Sequence, residues 1–220
     1  MKNVIMKDLT PSSVTPSPVT PSPEQARSVR PASKGERSAV SKVILDAAMS
    51  VDGYWAEPGG QSIYPIGELR GSAIMAELIR TTGAVVMSRN SYAMASDPDW
   101  YVDNYEYQVP IFVVSADPPA QLPKQSDRLT FTFVRKGMED AVRRALNAAG
   151  GRNVMVIGEA TAAQQVLNTG LLNELILRVV PIVLGRGVRL FSDFGNRIEL
   201  NRENIVETSS TTHLRFSVLR

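Results

Sequence analysis

From Val43 onward the chain alternates short, almost wholly apolar runs with amphipathic stretches, and this rhythm restricts its fold more than any other feature. Val43–Met49 is apolar except for Asp46 and ends at Asp52-Gly53, which predicts a buried strand followed by a turn. A helix is expected around Ser72 to Thr82, with Ile74, Leu78 and Ile79 on one face and Gly83 as its stop. Ala84–Met87, Ile111–Val114 and Leu129–Val134 read as further strands, and Met138–Ala149 as a helix that Gly150-Gly151 closes. Val154–Ile157 is a strand that runs directly into a helix over Thr161–Asn168. Glu174–Val183 then reads as a long β segment, and Asn204–Ser210 with Leu214–Leu219 as the strands of a hairpin. Strands separated by helices pair in parallel, whereas a closing pair with no helix between them is antiparallel. The expected fold is therefore α/β: a mixed, mainly parallel central sheet flanked by helices, with an antiparallel C-terminal hairpin.

Residues 1–40 follow a different pattern. They contain the tandem Val14-Thr-Pro-Ser-Pro18 and Val19-Thr-Pro-Ser-Pro23 and have too little apolar surface to offset their ordering entropy, so a disordered tail is expected there and a folded domain over 41–220. Asp8, Glu24 and Glu36 argue against a transit peptide. The tail also carries the basic excess, since residues 41–220 hold 18 Lys and Arg against 19 Asp and Glu. With no basic stripe, no nucleic-acid partner is expected. With neither an apolar run long enough for a span nor a signal sequence, a soluble cytoplasmic protein without membrane association is expected.

The absence of cysteine removes disulfides, thiol nucleophiles and Cys-ligated metals, and the single His213 makes histidine triads and zinc sites improbable, so no metal is expected. No G-x-G-x-x-G, Walker A, G-x-S-x-G or H-E-x-x-H motif is present. Two strand-to-helix junctions are more promising, because parallel sheets place ligands at the carboxyl ends of their strands, beside helix N-termini. These are Val85-Val-Met-Ser-Arg-Asn90 and Val156-Ile-Gly-Glu-Ala-Thr161; on physics alone, each is equally an ordinary helix cap.

Several segments occur in an order that carries further information: Met49-Ser-Val-Asp-Gly53, the V-M-x-R junction, Asp97-Pro-Asp-Trp-Tyr101, Gly170-Leu-Leu-Asn-Glu174, Val180-Pro-Ile-Val-Leu-Gly185 and Arg189-Leu-Phe191. Together they resemble the dihydrofolate-reductase-like family that includes the C-terminal reductase domain of bifunctional riboflavin-biosynthesis deaminase-reductases. The resemblance implies an NADPH-dependent reductase acting on a pyrimidine- or pterin-like heterocycle, similar to 5-amino-6-(5-phosphoribosylamino)uracil reductase, with a homodimer as the associated assembly. It also implies that NADPH lies on Ala48, Met49, Ser88, Arg89, Asn90, Ser115, Gly158, Glu159, Ala160 and Thr161, and that Asp46, Trp55 and Leu184 border the substrate. No zinc-site pattern for a deaminase half occurs, so reductive chemistry alone is expected.

The sequence departs from the family at two phosphate contacts: Ser88 stands where glycine is usual, and Gly158-Glu159 where a Gly-Gly pair is usual. A carboxylate at a helix N-terminus takes the place a phosphate would favour. NADPH binding then requires Glu159 to turn outward; otherwise the alternative is a catalytically silent relative that binds a ligand or partner. Asp52 is the expected proton donor, or else simply the Asp of an Asp-Gly turn. Asp46 lies on a buried strand, so it is either functional or bonded to a neighbour. The aromatics Trp100, Tyr101, Tyr105 and Tyr107 stack on a planar substrate, pack a dimer seam, or pack their own loop, while the resemblance suggests the β segment Glu174–Val183 as one seam of a dimer.

Overall fold

A computed structural model describes residues 41–65, 67–192, 195 and 197–219; the expected tail over 1–40 lies outside the described residues. The strands are β1 (Val43–Ser50), β2 (Tyr54–Ala56), β3 (Thr82–Ser88), β4 (Ile111–Val114), β5 (Phe131–Val134), β6 (Asn153–Gly158), β7 (Glu174–Val180), β8 (Val188–Arg189), β9 (Leu200–Glu207) and β10 (Thr212–Val218). The helices are α1 (Ala73–Thr81), α2 (Arg89–Tyr92), α3 (Tyr101–Asn104), α4 (Met138–Ala148) and α5 (Ala160–Asn168). Eight strands form one sheet in the order β5-β4-β3-β6-β1-β7-β10-β9. The first six are parallel to their neighbours, and β10 runs antiparallel to both β7 and β9. This is the mainly parallel sheet with an antiparallel C-terminal hairpin that the alternation predicts.

The central strands are largely apolar because both faces are covered. Val43, Leu45 and Ala47 of β1 pack with Ala141, Val142 and Ala145 of α4 and Ala162, Ala163 and Val166 of α5. The alternate residue Ile44 joins Val85, Met87, Met155 and Ile176 on the opposite face, beneath Leu78 of α1 and the aromatic residues of segment 92–107. The outer face of α4 is polar, with ion pairs Glu139–Arg143 and Asp140–Arg144 one turn apart. Among the described residues, no helix is long and apolar enough to cross a membrane.

Some details differ from expectation. Ser72, expected at the start of the helix, is its N-cap, its hydroxyl accepting from the Met75 N–H at 3.1 Å, but Gly83 does not stop the helix. It lies inside β3, where a Cβ would sit 2.1 Å from the Ala149 carbonyl oxygen, so the glycine answers a close crossing of chains. Ile79 leaves the buried face of α1 and is exposed. The β segment from Glu174 ends at Val180, before Pro181, and is hydrogen-bonded on both sides by β1 and β10. It therefore has no free edge for a second chain; the outer edge of the sheet at that end is β9.

Candidate functional site

A cleft of about 1030 Å³ opens between the face of the sheet that carries Ile44 and the segments 62–79 and 94–107, reaching the carboxyl ends of β1 and β6. Its floor holds an ion pair from two neighbouring strands. Asp46 of β1 and Arg178 of β7 are flanked by apolar residues, and the register sets Arg178 opposite Ala48, the second residue after Asp46. Period-two alternation turns Asp46, Ala48 and Arg178 to the same face. Arg178, only 5% exposed, donates through Nη2 to Asp46 Oδ2 and through Nη1 to the Tyr64 hydroxyl, while its guanidinium lies 5.0 Å from the Tyr64 ring centroid. Burial works against this charge, yet Asp46 and Tyr64 hold the Arg178 pKa above its ordinary value.

At the end of β6 the strand turns straight into α5. Gly158 is required there by space, since a Cβ would come within 2.7 Å of Leu45 Cδ1 and 2.9 Å of Ala47 Cβ. Glu159 is the N-cap of α5: its carboxylate accepts from the Thr161 N–H at 3.0 Å and the Ala162 N–H at 2.9 Å, and the residue is 6% exposed. The carboxylate has not turned outward. It occupies the free amides that the helix start would otherwise offer to an anion. The first amides of α5, flanked by the small residues Gly158 and Ala160, are thus taken by the Glu159 side chain.

Of the residues expected to touch ligand, Asp46, Ala48, Trp55, Gly158 and Glu159 line this cleft. Thr161 adjoins it through its amide, and Ala160 is buried in the first turn of α5. The others are not brought to the cleft. Met49 packs against the opposite core. Ser88 has a φ of −75°, so the position does not need glycine, and its hydroxyl caps α2 by accepting from the Ser91 N–H at 3.0 Å. Arg89 lies over the Tyr92 ring at 5.2 Å and Asn90 is exposed beside it. Ser115 closes a turn with the backbone of Asp117.

Asp52, expected as the acid, is a correction. Its carboxylate accepts from the Ser50 hydroxyl at 2.6 Å and from the amides of Leu184 at 3.0 Å and Gly185 at 2.6 Å, which ties the turn after β1 to the loop after β7. The Ser50 hydroxyl and these amides lower its pKa to about 2, so it holds no proton near neutrality. Leu184 serves as one of these donors and does not border the cleft.

Arg178, Tyr64 and Glu106 line the cleft without having been singled out as ligands, and Tyr107, one of the expected stacking aromatics, lines it too. Glu106 sits at the rim, where the surrounding protein pushes its carboxyl above the ordinary value against the pull of Arg178 and Arg70. Tyr107 is buried, which raises its phenol strongly. Of the aromatic segment, Tyr101 stacks with Tyr92 at 5.9 Å and meets Phe131 edge-on at 5.5 Å, so it packs its own loop while also facing the cleft. His213 is buried and structural, its Nε2 2.7 Å from the Thr211 hydroxyl. Beside it Glu68, next to the cleft-lining Gly67 and Leu69, accepts from the hydroxyls of Thr208, Ser210 and Thr211, which outweigh burial and bring its pKa to about 2. That cluster fastens one wall of the cleft to the β9–β10 turn.

Solved structures share this architecture. A Shewanella sp. PV-4 protein named for riboflavin biosynthesis superposes with a TM-score of 0.64 at 23% identity, over 81% of this chain and 99% of that one. The Thermotoga maritima diaminohydroxyphosphoribosylaminopyrimidine deaminase/5-amino-6-(5-phosphoribosylamino)uracil reductase gives 0.58 at 13% identity, over 82% of this chain and 57% of its own. Riboflavin biosynthesis reductase Rib7 of Saccharomyces cerevisiae gives 0.51 at 14% identity, over 84% and 93%. In sequence, the uncharacterized protein YwjB of Bacillus subtilis is 24% identical over 177 residues, 80% of this chain and 97% of YwjB. At such identities the likeness establishes the fold. Residues 41–214, the whole stretch that builds the sheet up to β10, match the RibD C-terminal domain, and the chain belongs to that family.

Proposed function

We propose that this protein is an NADPH-dependent reductase of a pyrimidine- or pterin-like heterocycle. The observation that carries the reading is the cleft at the carboxyl ends of β1 and β6, where Gly158 and the first amides of α5 form a phosphate cradle beside an aromatic-lined chamber. NADPH, when bound, supplies a hydride; the chain supplies orientation, exclusion of water and a proton. Thr161 and Ala162 would hold the pyrophosphate through their N–H groups once the Glu159 carboxylate rotates away. Ala48, at the end of β1, leaves room for a flat ring over the strand. Asp46, held by Arg178, presents a fixed carboxylate to an N–H of the heterocycle. Glu106 takes over the role expected of Asp52, because it lines the same chamber while the Asp52 carboxylate is held by the Ser50 hydroxyl and two loop amides; the raised pKa of Glu106 is in keeping with that role.

Glu159 favours a second reading, a relative that binds a heterocycle but no dinucleotide. Calorimetric titration of the full chain with NADPH and NADH separates the two. Micromolar NADPH binding supports the reductase. If the unmodified chain binds neither while Glu159→Gly binds NADPH, the carboxylate has closed the cradle and the second reading stands; if neither protein binds, the cradle is not a phosphate site.

A further inference from the structure

Resting on the reading of this cleft as a substrate site, we propose that its substrate is a phosphate-free planar heterocycle, neutral or cationic. The evidence is the distribution of charge. Among the described residues that line the cleft there are five acidic side chains, Asp46, Asp97, Asp103, Glu106 and Glu159, against two guanidiniums, Arg70 and Arg178; even with Glu106 protonated, as the reductase reading requires, acidic groups outnumber basic ones. Arg178 is already engaged: its two terminal nitrogens bond Asp46 and Tyr64, its guanidinium carbon lies over the Tyr64 ring, and its Nε, though without a partner, is buried away from the open cleft. A phosphate clamp needs cations with free donors, and only Arg70 remains, with Glu106 acting on it across the rim. Other cations are turned elsewhere: Arg89 lies over Tyr92, Arg189 over Tyr54, and Lys124 pairs with Asp103 at 3.2 Å outside the lining. The walls suit a flat, uncharged or positive ring, since Trp55, Tyr64, Trp100, Tyr101, Tyr105 and Tyr107 all face the space. The phosphates of a dinucleotide are a separate matter, because they would be read by the backbone amides of α5.

The chain has two tryptophans, Trp55 and Trp100, and both line this cleft, so their fluorescence reports its field directly. In the full chain, normalised to N-acetyltryptophanamide, caesium should quench at least about twofold more effectively than iodide, and the difference should fall in high salt. Titrations with two matched pairs, riboflavin against riboflavin 5′-phosphate and uridine against uridine 5′-phosphate, should show the phosphate member of a pair binding about tenfold more weakly at low salt. Iodide quenching equal to that of caesium, or a phosphate member that binds as well as its partner, overturns the proposal. Neither arm uses NADPH, so a failure of the reductase reading in calorimetry is distinguishable from a failure here.

Discussion

The Asp46–Arg178 pair makes the sharpest demand on the structure, because both side chains are nearly removed from water and each is the other's counter-ion. Replacing Arg178 by Met leaves a carboxylate in the floor without its cation; replacing Asp46 by Leu leaves a buried guanidinium with only the Tyr64 hydroxyl. Breaking a buried pair from one side costs about 3–5 kcal/mol, whereas exchanging both partners for apolar groups of similar volume is often close to neutral. For a domain of this size, such a loss lowers the melting temperature by roughly 6–20 °C. The double variant Asp46→Leu/Arg178→Met should therefore recover most of that loss and denature within about 2 kcal/mol of the parent protein. Urea denaturation of the four proteins gives the coupling energy. If the double variant loses the sum of the two single losses to within about 0.5 kcal/mol, the residues are energetically independent and the floor has been misread.

Gly158→Ala should destabilise the domain by about 1–3 kcal/mol in the same denaturation assay, since its Cβ would meet Leu45, Ala47 and the Asp46 carbonyl at under 3.0 Å; an unchanged midpoint would show that the strand end has slack. Glu68 binds a proton near pH 4.5 when unfolded but only near pH 2 when folded, so its contribution to stability is complete above pH 4.5 and is lost as the pH falls towards 2. Glu68→Gln should accordingly flatten the decline of melting temperature over that window, and an unaltered acid limb would count against the cluster at Thr208, Ser210 and Thr211. In the reductase reading, Glu106 donates its proton below its raised pKa, so turnover should fall as the pH rises through it. Glu106→Gln should lower kcat by about 10²–10⁴-fold and abolish that limb of the pH profile; retention of the limb would move the proton elsewhere.

How much of this was legible depends on the range of the interaction. The strands and their pairing sense follow from local pattern, because a parallel sheet covered on both faces leaves runs such as Val154–Ile157 with no polar alternation to disguise them. Gly83 shows the limit: next to a helix it reads as a stop, and only the crossing of Ala149, distant in sequence, explains it. Asp52 followed by glycine marks a turn in either reading, but its bond partners Leu184 and Gly185 lie more than 130 residues away. One signal was available and unused. Asp46 is the one charge in a run predicted to be buried, Arg178 is a cation within a predicted β segment, and a buried charge must find a partner. Pairing them would have placed β1 beside β7 and found the cleft floor together.

Glu159 shows why likeness of fold stops short of activity. Ser88 departs from its family's glycine without consequence for the backbone, since φ is ordinary there. Glu159 departs at a position where the same two amides can serve a side chain or a phosphate but not both. Each charge-assisted bond it makes is worth about 1.5–3 kcal/mol, so a dinucleotide must offset roughly 3–6 kcal/mol before gaining anything at this helix start. That corresponds to about two to four orders of magnitude in affinity. Within one family, a single side chain can therefore move a member from cofactor binding to cofactor exclusion while every strand keeps its place. Restoring glycine should reverse this at the cost of the stability that these two bonds supply. A Glu159→Gly protein that loses this stability yet gains no affinity for NADPH would show that the carboxylate is only a cap.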